Sequence, residues 1–163
     1  MQANIQLALK TREVFKLFER RIDGNRMFID AILHKFNIVV RQCKKQVPEA
    51  LAAYNQIEKA MLALTMEFAD EVNRFETILA NQKYFIDKKI SLVVQFYPTI
   101  ILSTSLSIKL IEFIEIYDQL VAILKLIHLA GCFTSDNDCY SNIKRIQKLT
   151  NQMLSRVILM PTD

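Results

Sequence analysis

Asn4, Gln6, Ala8 and Lys10 take every second position of the stretch ANIQLALK, with Ile5, Leu7 and Leu9 between them. Side-chain amides are groups for reading rather than for breaking bonds. Asn and Gln can hydrogen-bond bidentately to the edge of adenine, and a small Ala suits a thymine methyl, although it makes no polar contact. Alternation with period two puts such a set on one side of a strand and the apolar set on the other. The surrounding charge points the same way. Residues 1–45 hold ten Lys and Arg against four Asp and Glu, a net +6, which leaves −2 for the other 118 residues. An imbalance of that kind implies a polyanionic partner at the N-terminal end. Arg12, Lys16 and Lys44 are the candidates for nonspecific attraction. Gly24, Asn25 and Arg26 are the candidates for a phosphate anchor, since a glycine turn before a helix presents backbone N–H groups and a cation where the helix dipole favours an anion. Contacts of this second kind fix position, while Asn4, Gln6, Ala8 and Lys10 would specify bases.

Other chemistry finds less support. His128, Cys132 and Cys139 could be grouped as metal ligands, but structural zinc takes four N or S ligands, often in close C-x₂₋₄-C pairs. Here the cysteines lie seven apart and the only other histidine is His34. A Cys–His nucleophile would need spatial adjacency that spacing does not supply. With two glycines in the chain there is no glycine-rich phosphate loop. Glu112, Glu115 and Asp118 share a helical segment, where acids are usually solvated; Asp118, set among Ile116, Leu120 and Val121, is the candidate for a buried, hydrogen-bonded carboxylate. The expectation is a protein that is not an enzyme and takes no cofactor and no metal. Three scattered cysteines suit reduced thiols in a cytoplasm better than a disulfide scaffold. Met1–Lys10 lacks the apolar region of a secretory signal. Ile90–Ile108 is interrupted by Gln95 and Pro98, so no membrane span is expected.

The elements that must position these residues follow from composition and period. Hydrophobic residues make up 52% of the chain, with only two glycines and three prolines, so the class is mainly α. A strand over Asn4–Lys10 gives way to a short helix from Thr11, its N-cap, to Arg21, broken by Asp23-Gly24-Asn25. A second helix spans about Arg26 to Cys43. Pro48 suits the first turn of a third, reaching about Gln82. Lys89–Tyr97 reads as a second strand, ended by Pro98. A fourth helix begins among Ser103, Thr104 and Ser105 and closes at Gly131, and a fifth runs from about Asp136 to Val157 with Ser135 as its cap.

An isolated strand cannot satisfy its own backbone. The expected partner of Asn4–Lys10 is the same strand of a second copy; pairing with Lys89–Tyr97 inside one monomer would instead make Asn4 and Gln6 ordinary surface residues. Strand, helix, glycine turn and helix have the proportions of a ribbon-helix-helix protomer, in which a dimeric two-stranded ribbon enters the major groove. This organisation implies a DNA-binding module over residues 1–45 and a helical dimerisation or interaction region over 46–163.

IQLALKTREVFKLFERR resembles the opening of a family of proteins encoded on integrating conjugative elements and conjugative plasmids, which includes the AcaB-type transcriptional activators. FYPTIILSTSLSIKLIEFIEIYDQLVAILKLIHLAG, followed by a helix ending RVILMP, resembles that family's second half, with Tyr117-Asp118-Gln119-Leu120-Val121 in the helix and His128 and Gly131 closing it. The chain is short for the family and lacks an Asp-Pro-Tyr-Ala-Asp-type segment in residues 44–80. The resemblance implies a ribbon-helix-helix regulator of a mobile element: a cytoplasmic homodimer or higher homo-oligomer, bound to double-stranded DNA at the nucleoid, with a second regulatory protein as a candidate partner. The alternative is a helical interaction protein without DNA affinity, an accessory subunit of a regulatory or conjugative-transfer apparatus.

Overall fold

The computed structural model describes residues 2–82 and 90–161. In chain order they form β1 (Ala3–Gln6), α1 (Arg12–Glu19), β2 (Arg21–Ile22), β3 (Arg26–Met27), α2 (Phe28–Lys44), α3 (Pro48–Ala80), β4 (Thr99–Leu102), α4 (Ser105–Leu129) and α5 (Asp136–Leu159). The protein is mainly α, with short antiparallel strands.

Local chemistry explains the helix ends. α3 starts at Pro48, where a missing N–H costs no intrahelical bond. Thr104 and Ser107 form a reciprocal capping box at the start of α4. Gly131, at φ +79°, follows the last turn of α4 in the left-handed conformation that an L side chain would resist. The Ser135 side chain accepts from the Asp138 amide and opens α5. Thr11 stands at the N-cap position of α1 without capping it, because its hydroxyl is used elsewhere.

α4 is apolar nearly all round and is the axis of the core; Leu106, Leu110, Phe113, Ile114, Leu120, Val121 and Leu124 are fully buried. α3 runs along it, with Phe68 packed 5.6 Å from Phe113 and 6.0 Å from Tyr117. Arg145 on α5 reaches the buried Glu71 of α3 at 2.5 Å. One hydrophobic cluster joins Leu7 and Leu9 to Phe36, Phe68, Leu120 and Val157. The place near residue 45 where a module boundary was expected is a turn, with Gln46 at φ +59°, and the segments on either side of it contribute to the same core.

Two expectations are corrected. The partner of the N-terminal strand lies in the same chain: β1 pairs antiparallel with β4, matching Ala3 to Leu102, Asn4 to Ile101, Ile5 to Ile100 and Gln6 to Thr99. The partner strand also lies later than Lys89–Tyr97. Lys89 falls outside the described residues, and residues 90–95 are not in a strand; the ladder meets this stretch at Phe96, bridged to Leu9. Pro98 does not end the ladder. Proline lacks a donor but keeps its acceptor, and the Pro98 carbonyl receives the Leu7 amide at 2.8 Å, as the Phe96 carbonyl receives that of Leu9. The strand passes through Pro98 at the loss of one bond.

Candidate nucleic-acid interface

The alternation of residues 3–9 is realised in three dimensions. Leu7 and Leu9 are buried and Ile5 is half-buried, whereas Asn4, Gln6 and Ala8 are exposed. Across the ladder, Ile100 points into the core while Thr99 and Ile101 face outward beside Gln6 and Asn4. Continuing the register through the Leu7–Pro98 and Leu9–Phe96 bonds sets exposed Tyr97 opposite Ala8. The outer face of the ribbon is therefore a double row, with Asn4, Gln6 and Ala8 on one strand and Ile101, Thr99 and Tyr97 on the other. Reading β1 alone could not reveal the second row, because its residues lie in a distant part of the chain.

The edge of β1 opposite β4 faces no other strand among the described residues. The amides of Leu7 and Leu9 point toward β4, so those of Gln6 and Ala8 point toward that open edge, as strand geometry demands.

Lys10 leaves the row. Its backbone N–H donates to Asp118 Oδ2 at 2.9 Å, the Thr11 N–H donates to Oδ1 at 3.0 Å, and the Thr11 hydroxyl donates to Oδ1 at 2.7 Å. Asp118 on α4 is 5% exposed, so this buried carboxylate holds the corner where strand becomes helix. The Lys10 side chain is half-buried in a recess with Glu76, Glu115 and Asp118, a different setting from that of Asn4, Gln6 and Ala8. From the same corner α1 packs beneath the ribbon, Phe15 stacking on Phe96 at 4.7 Å between centroids. Glu13 on α1 is paired with Lys125 of α4, whose Nζ lies 2.7 Å from each carboxylate oxygen and donates to Oε1.

Gly24, Asn25 and Arg26 are also placed differently from the expectation. Asp23, Gly24 and Asn25 make the exposed turn of the β2–β3 hairpin, with Asp23 at φ +44° and Gly24 at φ +82°. α2 starts only at Phe28, with Met27 as N-cap, and the Phe28 amide already donates to the Arg20 carbonyl at 2.9 Å. The glycine turn thus closes a hairpin, and Arg26 lies on β3, one residue before the N-cap of α2. Arg12 and Lys16 are exposed on α1, and Arg20 follows one turn later. Spacing of four puts the three along one side of the helix. Lys44 is the last residue of α2, where a cation complements the dipole on structural grounds alone.

His128, Cys132 and Cys139 do not converge. His128 Nε2 lies 2.7 Å from Asp136 Oδ1, Cys132 is exposed, and Cys139 is buried with its thiol toward the Leu124 carbonyl. Among the described residues no cluster of three or more His, Cys, Asp or Glu could hold a metal, and no helix is long and apolar enough to cross a membrane. Burial, followed by the charges of Glu13 and Asp118, pushes the Tyr117 phenol well above its ordinary value of 10.0.

No family model and no curated protein matches the chain. Among solved structures, the crystal structure of selenomethionine-containing AcaB from uropathogenic E. coli is similar, with a TM-score of 0.64 at 15% identity, covering 96% of this chain and 77% of that one. At that identity the likeness is one of fold.

Proposed function

We propose that the protein is a DNA-binding regulator of a mobile genetic element that reads the major groove with its β1–β4 ribbon. The observation that carries this reading is the outward row of Asn4 and Gln6 on a two-stranded ribbon, followed directly by the cationic side of α1. The major groove admits a two-stranded ribbon, and its donor and acceptor pattern distinguishes every base pair. The fold shared with AcaB and the sequence resemblance to the AcaB-type activators support the same assignment. In this reading Asn4 and Gln6 read bases, Ala8 packs against a thymine methyl, and Arg12, Lys16 and Arg26 hold the backbone. A homodimer places two such ribbons on the two half-sites of a two-fold site.

The alternative, a helical interaction protein, draws on one specific observation: Tyr97 and Ile101, two of the three β4-side residues on the outer face, are 56% and 45% exposed. Fluorescence anisotropy with labelled duplex DNA separates the two. Deleting residues 1–10 does not separate them, because Leu7 and Leu9 are core residues and their loss disturbs the whole fold. Gln6→Ala and Asn4→Ala change exposed side chains only. Each is expected to relax discrimination between related sites by about 1–3 kcal/mol with no change in thermal stability. Folded wild-type protein that binds no duplex at 50 mM salt, a typical low value on the electrostatic scale, would decide for the interaction protein.

A further inference from the structure

The C-terminal helix carries a second cationic surface that the charge sums over the chain conceal. From Cys139 to Met160 there are four Lys or Arg and no Asp or Glu; the two acids of α5, Asp136 and Asp138, lie in its first turn. Arg145 is engaged by the buried Glu71 at 2.5 Å. Lys144 and Lys148 are exposed and form no salt bridge among the described residues. They belong to a row of Lys144, Gln147, Lys148, Asn151, Gln152 and Ser155 that lines one open groove. Those positions follow helical spacing, so they form a single stripe about 17 Å long.

The stripe meets α1. Arg20 Nη1 donates to Asn151 Oδ1 at 3.3 Å, and Lys16 and Arg20 line a recess with Gln147 and Asn151. Of the acids in that recess, Glu13 is neutralised by Lys125, which leaves Glu19 against Lys16, Arg20, Lys144 and Lys148. The cationic side of α1 therefore runs from the end of the ribbon into the stripe on α5.

We infer that the α5 stripe, with Lys16 and Arg20, is a phosphate-binding track for the backbone of double-stranded DNA. Every side chain of the stripe can donate to a phosphate oxygen and none is apolar, as suits a contact that positions without reading sequence. The same absence of apolar residues sets it apart from a membrane-surface helix, which buries an apolar face. A stripe of about 17 Å is long enough to span more than one phosphate of a single strand. The inference rests on the DNA-binding reading above and names a part of the interface outside residues 1–45.

The test is the salt dependence of duplex binding for wild type, Lys144→Gln/Lys148→Gln, Gln6→Ala and, as a charge control on another face, Lys59→Gln. Losing two phosphate contacts lowers the slope of log K against log salt by about 1.8. Between 50 and 200 mM salt the wild type then loses about 12-fold more affinity than the double variant. Gln6→Ala and Lys59→Gln are expected to keep the wild-type slope. Acetylation footprinting should show Lys144 and Lys148 protected by duplex. An unchanged slope together with unprotected lysines overturns the track and leaves ribbon reading in place. Absence of DNA binding by wild type overturns both, and binding of poly-glutamate in preference to duplex assigns the stripe to an acidic protein partner and overturns the track.

Discussion

Replacing Asp118 by Ala removes the acceptor of three hydrogen bonds, at 2.9, 3.0 and 2.7 Å, from the corner between β1 and α1. A hydrogen bond to a charged group contributes about 1.5–3 kcal/mol, and a buried donor left without a partner costs about 1–3 kcal/mol. Thr11 is 1% exposed, so water cannot substitute at its amide without opening the corner. The three bonds share one carboxylate and are not additive; a total loss of about 4–6 kcal/mol follows, a large part of a typical domain stability of about 5–15 kcal/mol. Asp118→Asn keeps one acceptor oxygen and turns an amide donor toward a backbone donor, at a cost of about 2–3 kcal/mol. Thr11→Val removes only the hydroxyl contact and should cost about 1–2 kcal/mol. Urea denaturation followed by circular dichroism measures all three, with the midpoint shifting at constant slope. The double variant Thr11→Val/Asp118→Asn tests contact directly, with an expected coupling of at least about 0.5 kcal/mol. A loss below about 1 kcal/mol for Asp118→Ala, or zero coupling, would refute the claim that this carboxylate holds the corner.

Two further outcomes follow from buried groups. The Tyr117 phenol is held neutral by burial and by the nearby charges of Glu13 and Asp118; because its folded value lies above the unfolded one, the stability it contributes is complete below about pH 10 and is lost as pH rises beyond that. Spectrophotometric titration should therefore show one of the five tyrosines ionising only with unfolding, and Tyr117→Phe should abolish that late step. Cys132 is exposed and Cys139 buried, and burial is the largest cause raising the Cys139 thiol; with a thiol reagent Cys132 should react first and Cys139 at the rate of opening, and equal rates would contradict the packing.

The features legible in the sequence were those governed by neighbours along the chain. Pro48, Ser135 and Gly131 mark helix ends because capping, ring geometry and positive φ act within a few residues. The alternation of Ile5, Leu7 and Leu9 with Asn4, Gln6 and Ala8 survived folding because a pleated strand must divide its side chains between two faces. Asp118 was legible as a buried acid from its apolar neighbours, but the groups it binds were not, since Lys10 and Thr11 lie more than a hundred residues away. The cations of α5 were present in the sequence and hidden by averaging, because the acids of α3 and α4 cancel them in any sum over residues 46–163.

By itself, then, the chain determined its class, its helix limits and the two-faced character of its first strand, all products of short-range sterics and hydrogen bonding. Only the tertiary structure decided which strand pairs with β1, that Pro98 lies within the ladder, that Gly24 turns a hairpin, and that α1 and α5 bring their cations together. Each of these depends on which distant segments share a core. Hydrophobic burial is non-directional, so the same apolar residues permit several pairings, and the register is selected by the packing of Leu7, Leu9 and Ile100 in the core that α4 organises.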